Sequence, residues 1–317
     1  MSDPGTPDAL RQALVELARL VAEGLGLLEL EEAALRTPLA ELEARTAALR
    51  EHARELDHLL EEVPALCRSA ADRATEAAGR SLYEVARAAA PELAEVIRRR
   101  AREGECSNRA LADEVRSLVA ALVARRFDAW QEEEGRRTAE SFGADLGRVA
   151  SRLDEELAGV REWVAERFGI ELPDLPPARE LAGSRDFYYR VEGVSQYRML
   201  DQPRFWLPRP LFRRWLGGRA EELAAGDLER NAGRLRGDLQ YRFHDTARAF
   251  AADLLDHARS ARSSLEGALA RAVEKGRAGE RDAEAEVERL RATRDRLRAL
   301  RSAAAPAALR GAGRGPK

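Results

Sequence analysis

Apolar residues recur at three- and four-residue steps along most of the chain, and the points where that rhythm stops mark the joints. Leu10, Leu14, Leu17, Leu20 and Val21 give residues 8–30 one apolar face, which predicts an amphipathic helix behind a Pro-rich tail, residues 1–7, expected to be disordered. Thr37-Pro38 reads as an N-cap followed by proline at the first helical position. In the helix it opens, Leu42, Leu49, Leu56 and Val63 repeat every seven residues, and Leu39 and Leu60 take the alternate position. Thr46 and Ala53 fill the other alternate positions, which favours packing inside a multi-helix bundle over a two-stranded zipper. Pro64 and Pro91 punctuate the pattern. Helical spacing continues through Leu111, Val115, Leu118, Val119, Leu122, Val123, Phe127 and Trp130. A further run from Phe142 through Leu146, Leu153, Leu157, Val160 and Val164 to Phe168 stops at Gly169, ahead of a Leu-Pro-Asp-Leu-Pro-Pro turn at 172–177.

The rhythm resumes near Ala220 with Leu228, Leu235, Leu239, Phe243, Phe250, Leu254, Leu265 and Leu269. A helix from there to Arg271 would span about 80 Å at 1.5 Å per residue. Lys275-Gly276-Arg277-Ala278-Gly279 predicts a break, Val287, Leu290, Leu297 and Leu300 mark a last helix, and residues 303–317 read as a disordered Ala/Pro/Gly/Arg tail. Between the helical stretches lies a different composition: residues 186–218 hold eight of the chain's seventeen aromatics. Helices out, an aromatic-basic turn and helices back predict an all-α fold, an elongated antiparallel helical bundle (a neck and trunk hairpin) with a small aromatic-basic tip module. Its parts would be outgoing stalk helices over 8–171, the tip over 172–219 and returning stalk helices over 220–302. The ends would meet with complementary charge. Residues 8–63 carry thirteen acidic against six basic side chains, and Arg289, Arg291, Arg294, Arg296, Arg298 and Arg301 crowd the last helix.

Composition narrows the function. Charged residues at 34% with aromatics at 5% suit elongated helices. Lys275 and Lys317 are the only lysines, so the positive charge is almost all arginine, which reads first as compositional bias. A formal charge of −3 argues against a surface that binds nucleic acid or anionic membrane all over, so any such contact is local and nucleic acid is not an expected partner. Cys67 and Cys106 make no disulfide framework, which fits a reducing cytoplasm. No run of about 20 apolar residues is present, so membrane contact would be peripheral, at the inner membrane. The chain contains no Gly-x-x-x-x-Gly-Lys-Ser/Thr phosphate loop. His52, His58, His244 and His257 lack ligand spacing, Glu132, Glu133 and Glu134 read as a solvated charge run, and no nucleophile and base stand together. The expectation is a protein that is not an enzyme and holds no cofactor and no metal.

Residues 204–219 carry two tryptophans, two phenylalanines and five arginines with no acidic residue. As a helix, Pro210–Gly217 would set Leu211, Phe212, Trp215 and Leu216 on one side and Arg213 with Arg214 on the other, with Gly217 or Gly218 as the stop. That is the pattern of an interfacial wedge, since tryptophan suits the headgroup boundary and arginine an anionic leaflet. The candidate membrane- or partner-binding residues are Arg204, Phe205, Trp206, Leu207, Arg209, Leu211, Phe212, Arg213, Arg214, Trp215, Leu216 and Arg219. The plainer alternative is a satellite core where helices turn, which fits Phe187, Tyr188, Tyr189 and Tyr197 best.

The heptad run from Leu35 to Val63, Phe187-Tyr188-Tyr189, the phrase Leu207-Pro208-Arg209-Pro210-Leu211-Phe212-Arg213-Arg214-Trp215 and Asn231-Ala232-Gly233-Arg234-Leu235-Arg236-Gly237-Asp238-Leu239 together resemble the helical portion that follows the GTPase domain in bacterial dynamin-like proteins. The resemblance spans about residues 10–300. It implies an antiparallel neck and trunk, a membrane-binding paddle at Phe205, Trp206, Leu207, Leu211, Phe212, Trp215 and Leu216 with Arg204, Arg209, Arg213, Arg214 and Arg219 around them, and self-association through the trunk. It has no counterpart here for the family's GTPase motifs, so it implies either a separate dynamin-like GTPase as partner or a passive scaffold. A soluble coiled-coil adaptor that docks a protein through the aromatic-basic module is the other expectation.

Overall fold

Leu, Ala, Glu and Arg are among the best helix formers, and the computed structural model, which describes residues 7–170, 172 and 206–311, is helical over almost all of them. Its α-helices are α1 (Pro7–Arg36), α2 (Leu39–His52), α3 (Arg54–Glu103), α4 (Asn108–Trp130), α5 (Arg136–Phe168), α6 (Arg209–Gly218), α7 (Ala220–Ala278) and α8 (Glu280–Gly311), with a π-helical turn at Gln131–Gly135 joining α4 to α5. No strand occurs among the described residues, so the all-α class holds. The chain divides into two compact units. One draws on Met1–Val63, Ala150–Glu180 and Asp253–Lys317, the other on Pro64–Val149 and Leu181–Ala252. Helices α3, α5 and α7 each contribute a segment to both.

In the first unit the heptad positions form the inward seam: Leu42, Thr46, Leu49, Ala53, Leu56, Leu60 and Val63 are all buried. The Thr46 hydroxyl donates to the Leu42 carbonyl at 2.8 Å, so its burial leaves no unpaired donor. Leu153, Leu157, Val160 and Val164 of α5 and Leu254, Leu265 and Leu269 of α7 complete the core. The Arg45 guanidinium sits 5.3 Å from the centre of the Phe168 ring and donates to the Arg167 carbonyl. At the end of α5, Gly169 takes φ 68°, a left-handed stop that glycine adopts without steric penalty.

Helix α8 lies along α1, and charge holds it there. Among its described side chains only Leu290 is buried. Glu32 of α1, 6% exposed, accepts from Arg291 at 3.0 Å and Arg294 at 2.6 Å of α8, and from Arg36 at 2.6 Å. Arg298 reaches Glu29 at 2.7 Å, so partners descend α1 as they ascend α8 and the two helices run antiparallel. Glu31, 4% exposed, receives Arg271 of α7 at 2.9 Å.

The second unit is built on larger side chains. Phe142 meets Phe243 edge to face with centroids 4.9 Å apart, and the buried Trp130 donates its indole N–H to the Ser81 hydroxyl at 2.9 Å. Leu82, Leu93 and Ile97 of α3, Leu111, Val119 and Phe127 of α4 and Leu228 and Phe250 of α7 are buried around them. Arg73 pairs with Asp145 at 2.7 Å, and His244 lies 3.2 Å from Asp72. Gly135, the last residue of the π-helical turn, is buried where a Cβ would come 3.4 Å from the Trp130 ring. Cys67 is buried, and loss of solvation pushes its thiol up to about 11; it and Cys106 are both free.

Three local expectations change. Pro38, not Thr37, takes the capping position of α2, and the Thr37 hydroxyl instead donates back to the Ala33 carbonyl at 3.1 Å. Pro64 and Pro91 do not end a helix: both lie inside α3. Pro91 is exposed, so the carbonyl it leaves without an amide partner has access to water. Gly279, at φ 123°, makes the expected break between α7 and α8, and α8 then continues past residue 303, where the sequence predicts a disordered tail, as far as Gly311.

Candidate functional site

Helix α6 is ten residues long, too short to persist in water by itself. Its sequence supplies the start: Pro208, at φ −51° and ψ 139°, cannot continue a preceding helix, and its carbonyl accepts from the amides of Leu211 at 2.9 Å and Phe212 at 3.0 Å. Tertiary contacts supply the rest. Phe212 and Leu216, four apart, are completely buried in the second unit. Burying each stabilises the docked helix by about 1.5–3 kcal/mol. The Trp215 ring lies 5.7 Å from that of Phe212 and is half-buried. Asn108, the first residue of α4, donates its side-chain amide to the Leu207 carbonyl at 2.7 Å, which fixes the chain entering α6. Arg98 pairs with Glu221 and ties α3 to the first turn of α7.

The apolar arc read from the sequence is therefore split. Leu211, Phe212, Trp215 and Leu216 do share one side of α6, but Phe212 and Leu216 face the core and are not available to a ligand. What faces outward is Trp206, 91% exposed, Leu211, 54%, and Leu207, 37%, with Trp215 at the edge. Arg209, Arg214 and Arg219 are exposed beside them and Arg213 is half-buried. Arg219 approaches Glu222 at 3.4 Å, whereas Arg209, Arg213 and Arg214 form no ion pair among the described residues. No acidic residue occurs between Asp201 and Glu221. Neither Gly217 nor Gly218 stops the helix through a left-handed turn; the joint is Arg219, at φ −104° and ψ 9°, and α7 begins at the next residue. Arg204, Phe205, Phe187, Tyr188, Tyr189 and Tyr197 lie outside the described residues.

Sequence reasoning missed the features that hold this surface in place: Asn108, a helix-start residue 99 positions before the carbonyl it binds, and the anchoring of α6 itself. No signal local to residues 204–219 encodes either. Among the described residues no group of His, Cys, Asp or Glu is arranged to hold a metal ion, and no helix is long and apolar enough to cross a membrane. Comparison with protein-family models, with curated proteins and with solved structures finds no match for the chain.

Proposed function

We propose that the protein is a peripheral membrane-binding helical scaffold of dynamin-like type, an elongated antiparallel bundle whose aromatic-basic module touches an anionic membrane surface. In this reading it assembles with itself, or with a separate dynamin-like GTPase, to shape or tether membranes, and it contributes no catalysis of its own. The observation that carries the reading is the outward-facing Trp206, Leu207 and Leu211 next to Arg209, Arg213 and Arg214, which form no ion pair among the described residues, at the start of a helix pinned from behind by Phe212 and Leu216. Each arginine near an anionic leaflet is worth about 1 kcal/mol, and insertion of Trp206 and Leu211 adds to that. One such surface binds weakly, and several held in one assembly bind through avidity.

Co-sedimentation with phosphatidylserine-containing vesicles tests it. The wild type should pellet at low salt, less so at 0.5 M NaCl, and the Trp206→Ala, Leu211→Ala, Arg213→Glu, Arg214→Glu variant should stay in the supernatant while keeping its helical circular dichroism. Equal pelleting of the two proteins would sink the proposal. The second reading, a soluble adaptor that docks a protein partner, is favoured by one observation: with Phe212 and Leu216 turned inward, the apolar area left for insertion is small. That reading requires no pelleting and a stoichiometric complex lost in the same variant.

A further inference from the structure

The first unit contains a cavity of about 260 Å³ between α1, α3, α5 and α7, with Leu27, Leu56, Leu157, Val160, Leu172 and Leu265 on its walls. His257 of α7 also lines it, and the imidazole Nε2 is buried without a hydrogen-bond partner. An unpaired buried polar atom is destabilising and uncommon in folded proteins. The arginines at the cavity edge are already committed: Arg19 to Glu16 and Glu23, Arg262 to Asp57 and Glu266, and Arg161 is engaged as well. An anionic ligand would have to break one of these pairs, whereas a neutral one leaves them intact. Burial holds the His257 imidazole below its ordinary range, against the opposing pull of Asp154, so the neutral ring prevails at pH 7. In a neutral ring Nε2 is either donor or acceptor, and a hydroxyl group can answer both.

We propose that this cavity binds a small neutral molecule with an apolar body and one hydroxyl group, the body against the leucine wall and the hydroxyl on His257 Nε2. A protein cavity on the order of 150 Å³ accepts benzene, so this one holds roughly ten non-hydrogen atoms, the size of a medium-chain alkanol. The site is independent of the surface on α6, and failure of either leaves the other standing.

The test is an NMR titration of the full chain with 1-octanol and, separately, with octanoate, following methyl resonances of the cavity leucines. Saturable shifts with octanol, and weaker binding of octanoate, are expected. His257→Leu should weaken octanol roughly three- to tenfold, the worth of one hydrogen bond. Leu157→Trp, which fills the space, should abolish binding, and Ala261→Phe serves the same purpose from α7 should the first variant fail to fold. Shifts that never saturate, octanoate binding tighter than octanol, or an unchanged affinity in His257→Leu would each overturn the proposal.

Discussion

At the scale of single residues, His257 links burial to pH. Its folded-state value lies below the ordinary 6.5 because burial disfavours the charged ring. Between 6.5 and that lower value the unfolded chain binds more protons than the folded one, so this contribution is complete above pH 6.5 and is lost as pH falls through the folded value. Thermal unfolding followed at pH 7.5 and pH 5.5 should show a smaller acid-induced drop in Tm for His257→Leu than for the wild type. Other residues show what local pattern can carry. The buried Leu42, Leu49, Leu56 and Val63 were legible because a seven-residue repeat names its own inward face. Phe212 and Leu216 were not, because an arc of Leu, Phe, Trp and Leu suits a core and a ligand equally well, and only the neighbours of α6 decide which half turns inward. Pro91 reads as a boundary locally, yet flanking burial of Ala89, Leu93 and Ala94 outweighs the loss of one backbone hydrogen bond on an exposed face.

At the scale of elements, α8 buries little apolar surface and relies on Glu29 and Glu32 to hold Arg291, Arg294 and Arg298. Salt screens such pairs, since the Debye length falls from about 10 Å at 0.1 M to 3 Å at 1 M. Backbone hydrogen exchange in α8 should therefore accelerate at 1 M NaCl more than exchange in the Leu42–Val63 seam. Glu32→Ala should reproduce the effect at low salt and lower stability by about 1.5–3 kcal/mol, the value of hydrogen bonds to a charged group. The charge asymmetry between the ends of the chain was visible as composition. That Glu31 and Glu32 are nearly enclosed was not, because they are covered by helices α7 and α8, whose contacting residues lie 240 and 259 positions later.

At the scale of the molecule, each compact unit is assembled from separated stretches of chain, and no consecutive division of the sequence corresponds to either. Periodicity reports which face of a helix is buried but not which distant helix covers it, and for that reason the all-α class was readable and the grouping of segments was not. Helix α5 serves both units, with Phe142 and Leu146 in one and Leu153, Leu157 and Val160 in the other, so its rotational phase matters to the entire chain. That phase is set at the π-helical turn of Gln131–Gly135. From Trp130 to Phe142 an uninterrupted α-helix would turn about 120° out of alignment, and with one residue fewer only about 20°. The turn thus behaves as an absorbed one-residue insertion. Deleting Glu133 should leave Tm close to that of the wild type, the wide turn relaxing to ordinary α-helix, whereas deleting the exposed Arg148, between the buried Leu146 and Leu153, should rotate everything downstream by about 100° and unfold the protein. Length is tolerant to change between Trp130 and Phe142, where the turn can absorb it, and intolerant beyond Phe142.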